Sequence, residues 1–73
     1  MYKFFINSIK ESRPLEIIYI SKNGDISKRI IIVKKMSKSH LLAYCFSKNE
    51  YRTFYIDRIL AALPYKKKYS PTA

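Results

Sequence analysis

The chain has one glycine, one cysteine, one histidine and no tryptophan in 73 residues. Each scarcity closes off a class of function. A single glycine, Gly24, cannot build a glycine-rich loop that cradles phosphates. A single cysteine, Cys45, allows no disulfide within the chain. It lies in the apolar run LLAYCF and reads as a buried thiol of a reducing compartment. One histidine and one cysteine all but exclude a zinc site made by this chain alone. The acidic residues number only five and are scattered, with no carboxylate pair at a spacing suited to acid–base chemistry. His40 and Cys45 are an odd number of residues apart, which on a strand puts them on opposite faces and argues against a Cys–His dyad. No apolar run approaches the ~18 residues that span a bilayer. The start, MYKFFINSIK, has too few apolar residues in a row for a secretion signal. The expectation is a cytoplasmic, non-enzymatic protein with no cofactor, no metal and no membrane partner.

Positive charge is what the chain has in excess. Fifteen lysines and arginines give a net charge of +10. Such a charge attracts polyanions and makes their binding salt-dependent, although solubility alone also explains it. The length suits one domain. A domain this short buries a small fraction of its surface, so oligomerisation is a natural source of further burial.

The order of elements follows from periodicity. Phe4 or Phe5, Ile6 and Ile9 recur at helical spacing, which predicts a short amphipathic helix over residues 2–11. It stops at Ser12-Arg13-Pro14, because the residue before a proline is pushed out of the helical region. LEIIYIS (15–21) is a strand by its β-branched content. Asn23-Gly24 is a hairpin signal of type I′. ISKRIIIV (26–33) returns, residues 34–39 form a polar loop, and HLLAYCF (40–46) is a third strand. A turn over 47–50 leads to YRTFYI (51–56). Asp57-Arg58-Ile59 reads as one helical or 3-10 turn capped by Asp57, and residues 61–65 as a short fifth strand. The fold class is therefore mainly β: a small Sm/SH3-like barrel of four to five antiparallel strands with a short N-terminal helix. Residues 1–65 form the one domain, and residues 66–73 a basic, flexible tail.

One stretch concentrates the candidate chemistry. In EYRTFYIDRI (50–59), Arg52 shares a face with Phe54 and Ile56, while Tyr51, Thr53 and Tyr55 face the other way. A guanidinium offers a planar fork of donors matched to phosphate, and tyrosines offer stacking surfaces for bases. If Phe54 and Ile56 fill the barrel, Arg52 sits at its mouth, and Arg29, which alternates with Ile31, is a second mouth residue. The plain alternative is structural. Arg58 would pair with Asp57 or Glu16, Arg52 would be a solvated edge residue, and the tyrosines would be ordinary strand formers. Lysine clusters at 34, 35 and 38 and at 66–68 suit a backbone-tracking role, or mere solvation.

These residues also carry a resemblance. Ile17-x-Tyr19, the Asn-Gly turn, Arg29-x-Ile31, Leu41-Leu42-Ala43-Tyr44 and Arg52-x-Phe54-x-x-Asp57-Arg58-Ile59 follow in the order and spacing of a WYL domain. The resemblance covers residues 6–60. Ser39-His40-Leu41 stands where the family has its name-giving Trp-Tyr-Leu, Val33 where a proline is usual, and Tyr55 where a second basic residue is usual. What the resemblance implies is a stand-alone regulatory module, without the helix-turn-helix that usually precedes it. It would sense a nucleotide or single-stranded nucleic acid, with Arg29, Arg52 and Arg58 as phosphate-binding candidates. Tyr19 and Tyr44 would be aromatic positions near the site, and His40 a site position of changed chemistry. Tyr55 completes the candidate set. The rival expectation is a protein-interaction or oligomerisation module of the same fold, and a third, weaker one is an Sm-type RNA binder. Homo-oligomers or a regulator protein are then the partners.

Overall fold

The computed structural model describes residues 2–66. Helix α1 (Tyr2–Glu11) is followed by strands β1 (Leu15–Ile20), β2 (Ile26–Met36), β3 (His40–Cys45) and β4 (Glu50–Tyr55). A 3-10 turn (Ile56–Arg58) then leads into β5 (Ile59–Pro64). The strands form one antiparallel sheet in the order β4-β3-β2-β1-β5. This is the mainly β architecture with an N-terminal helix that the sequence predicts. The predicted tail lies outside the described residues, apart from Lys66.

The sheet bends through its longest strand. The first half of β2 pairs with β1 and its second half with β3; Ile31 is opposite Leu15 on one side and Cys45 on the other. A register shift between Val33 and Lys35 adds a bulge, which strengthens local twist. The polar stretch predicted as a loop over 34–39 is therefore strand as far as Met36. Lys34 and Lys35 ride on the bulge, exposed. The bend brings β1 and β4 together at one corner. There the backbone N–H of Tyr55 donates to the Tyr19 hydroxyl at 3.1 Å. The Tyr19 and Phe54 rings meet edge to face, with centroids 5.1 Å apart. Among the described residues β4 and β5 share no ladder; this corner contact links β1 to β4 instead.

The inner face of the bend is the core: Leu15, Ile17, Ile31, Val33, Leu41, Ala43, Cys45, Phe54, Ile59 and Ala62, closed by Phe5 of the helix. The helix occupies residues 2–11 as predicted, but it buries a different side. Phe5 and Ser8 are buried, whereas Ile6 and Ile9 are 41% and 37% exposed. The reason is the β2 bulge. Ser8 Oγ accepts the Val33 N–H at 2.9 Å and donates to the Arg13 carbonyl at 2.7 Å. A buried amide needs a partner, and the serine supplies it. Ser8→Ala is expected to cost about 1–3 kcal/mol, because it leaves that amide buried and unpaired. Urea denaturation would measure the loss; an unchanged midpoint would contradict it.

Two turns differ from expectation. Gly24 takes φ +88, but Asn23 is not at positive φ, so the hairpin is not type I′. Gly24 N–H donates to the Ser21 carbonyl and Ser21 N–H to the Asp25 carbonyl, both at 2.9 Å. The longer loop, Ser21–Asp25, lets one glycine supply the single left-handed residue required. In the 3-10 turn the N-cap is Tyr55, with no side-chain cap bond; Asp57 sits inside the turn and does not cap it.

Candidate anion-binding face

Strand alternation and register divide the candidate residues between the two faces of the sheet. On the inner face, Tyr19 is opposite Ser27, Arg29 opposite Ile17, and Arg52 opposite Ala43. On the outer face, Tyr44 is opposite Tyr51 and His40 opposite Tyr55. Arg58 follows in the 3-10 turn, half-buried. The structure thus brings Tyr19, Arg29 and Arg52 to one face and separates them from Tyr44, His40 and Tyr55.

Arg29 is the centre of the inner group. Its side chain is half-buried and enters a polar gap at the edge of the core. Nε donates to Ser27 Oγ at 3.3 Å, and Nη1 reaches Cys45 Sγ at 3.9 Å. The guanidinium lies over the Phe54 ring, 6.0 Å from its centroid, a cation–π arrangement. Phe54 is in turn braced by Tyr19. Among the described residues Arg29 makes no ion pair with a carboxylate. Arg52 differs. Its Nε and Nη2 both reach Glu50 Oε2 at 2.9 Å, on the same face two residues away. Arg58 has neither of the predicted acidic partners: Glu16 is engaged with Lys28 at 3.3 Å, and no Asp57–Arg58 ion pair forms.

Cys45 completes the gap. Burial pushes its thiol up. Hydrogen bonds from the Ser47 hydroxyl, the Lys48 backbone, Arg29 and the Ser47 backbone outweigh that and hold the thiol below its ordinary range. Arg29→Ala removes one of those donors. The Cys45 titration, followed by its 13Cβ shift, is expected to move to higher pH; an unmoved titration would show that Arg29 does not reach the sulfur in solution. The sign for stability follows. A thiol lowered on folding adds stability above its unfolded pKa, and that part is lost as pH falls through the folded value.

Around Tyr44 the outer face is apolar and aromatic. Tyr44 meets Phe46 and Tyr51 edge to face at 5.2 and 5.3 Å. Phe46 and Tyr51 are 43% and 55% exposed. Pro14, Ile30, Phe46 and Tyr65 line a groove of about 440 Å³. His40 stacks obliquely with Tyr55 at 5.8 Å, and its Nδ1 lies 3.0 Å from Ser39 Oγ.

Sequence reasoning placed Phe54 beside Arg52 but missed it under Arg29, and missed Ser27, Cys45 and Glu50 as neighbours of the arginines. Glu50 had a signal: its i, i+2 spacing from Arg52 puts both on one face of a strand. Ser27 and Cys45 needed the register.

Residues 5–64 match the WYL domain. The chain belongs to the WYL domain family. That placement marks the domain as a regulatory module. Among solved structures the chain is similar to proteasome accessory factor B/C (PafBC) of Arthrobacter aurescens. The TM-score is 0.77 and the identity 26%, over 99% of this chain and 12% of that one. The chain therefore spans about an eighth of the length of that WYL-containing neighbour. No curated protein matches. Among the described residues no helix is long and apolar enough to cross a membrane.

Proposed function

We propose that this WYL domain is a non-catalytic regulatory module that binds an anionic ligand, a nucleotide or single-stranded nucleic acid, at the mouth of its inner face. One observation carries the reading: Arg29, a half-buried residue, sets its guanidinium against Phe54 and Ser27, and among the described residues no carboxylate neutralises it. A partly desolvated cation without a counterion favours an anion, and the guanidinium fork fits a phosphate. Arg52 lies on the same face and supplies a second fork. Tyr19 fixes the Phe54 ring beneath Arg29. A net charge of +10 favours the approach of such ligands. The separation of His40 from Cys45 onto opposite faces supports binding over thiol catalysis. Because β4 is an edge strand, an oligonucleotide passing over it from Arg52 would meet Tyr51 and Tyr55 on the far side. Fluorescence anisotropy of labelled oligothymidylate tests the reading. Affinity should fall with salt, with a log–log slope of about −0.7 per phosphate neutralised. Absence of salt-sensitive binding would sink it.

The outer groove favours a second reading, a protein-interaction surface centred on Phe46. Its salt response is opposite in sign. Self-association of a strongly basic chain is opposed by charge repulsion, so salt should strengthen it. Sedimentation of the wild type and Phe46→Lys at low and high salt separates the two.

A further inference from the structure

We infer that Glu50 is a built-in competitor for the ligand: its carboxylate occupies the Arg52 fork in the free domain and must be displaced when an anion binds Arg52. The inference rests on the anion-binding reading above. Arg29 and Arg52 share the inner face, yet only Arg52 is neutralised. Both of its inward donors, Nε and Nη2, converge on one oxygen, Glu50 Oε2, at 2.9 Å. A phosphate oxygen would take the same position with the same geometry, since both are anionic acceptors for the same fork. The pair is easily opened. The two side chains are 42% and 53% exposed, they sit at the start of an edge strand, and among the described residues no second acidic residue pairs with Arg52. Displaced, Glu50 swings into water beside the β3–β4 turn. Among the described residues the domain therefore presents one arginine with no carboxylate on it, Arg29, and one that is released only against competition. This arrangement filters ligands. An anion that engages Arg29 alone meets no competitor, whereas one that spans both arginines must outcompete a carboxylate. A ligand with two anionic groups, such as consecutive phosphates of one strand, gains from both contacts. Small monoanions gain little at Arg52.

The chain contains its own control. Glu11 and Arg13 form an equivalent exposed i, i+2 ion pair at 2.6 Å, at the helix end. Glu11→Gln changes net charge by the same amount as Glu50→Gln without touching Arg52. An exposed pair holds its partners by a factor of up to about five. Glu50→Gln is thus expected to tighten binding of labelled oligothymidylate by about three- to five-fold, and Glu11→Gln by much less. In an Arg52→Ala background, Glu50→Gln should have no more effect than Glu11→Gln. The inference is overturned if Glu50→Gln and Glu11→Gln behave alike, or if the gain persists without Arg52. It is also overturned if Glu50→Gln weakens binding, which would make the carboxylate a ligand contact. If neither the wild type nor any variant binds, the underlying anion-site reading falls, and this inference with it.

Discussion

Arg29→Ala is expected to weaken binding of single-stranded oligonucleotide by about ten- to hundred-fold, because hydrogen bonds to a charged group contribute about 1.5–3 kcal/mol. The effect should exceed that of any lysine. Lys28 is the control: it is next to Arg29 on β2 but on the outer face, paired with Glu16, so Lys28→Ala removes a charge without entering the gap. Arg29→Lys should rescue only partly. An ammonium keeps the charge but cannot offer the fork that reaches Ser27 and a phosphate together. A uniform small loss for Arg29→Ala and Lys28→Ala would mean that net charge alone attracts the ligand. The thermal midpoint of Arg29→Ala serves as the folding check, since the guanidinium also lies over the Phe54 ring.

The second large effect concerns stability. Phe54 is 2% exposed and joins the core to the corner where β1 meets β4. Phe54→Ala is expected to cost about 3–5 kcal/mol. At about 0.05–0.15 kcal/mol per residue, that is a large share of what a domain this small possesses. The variant should be substantially unfolded at ambient temperature by circular dichroism. A loss under about 1 kcal/mol would show that the corner is not part of the cooperative core.

Much of the fold was legible because its signals are local. Helix spacing, a proline after Arg13, β-branched runs and turn residues are written along the chain. So is the family pattern, whose densest element lies in β4 and the 3-10 turn. The parts that were not legible depend on contacts distant in sequence. Nothing near Ser8 announces that it will satisfy an amide freed by a bulge twenty-five residues away. Lys34 and Lys35 look like loop residues because their exposure on a bulge resembles exposure in a loop. Asn23-Gly24 suggests a two-residue hairpin, yet the strands end earlier than that turn requires, and the chain uses the longer loop.

The candidate site shows the same division. Period-two alternation already separates Arg52 from Tyr55 within one strand. Joining Arg52 to Arg29 and Tyr19, and assigning Tyr44 and His40 to the opposite face, requires the register of four strands. The resemblance supplies the residues but not their faces. Its positions therefore resolve into an inner group with arginines and an outer group of rings, two surfaces with different chemistry.

The most direct test of the account is a 1H–15N NMR titration of the 15N-labelled domain with unlabelled oligothymidylate at low salt. The account predicts that the largest shifts fall on Ser27, Arg29, Cys45, Arg52 and Phe54, including the Nε–H signals of both arginines, with smaller changes across the outer face. Shifts confined to Tyr44, Phe46, Tyr51 and their neighbours, with the arginine Nε–H signals unmoved, would contradict it.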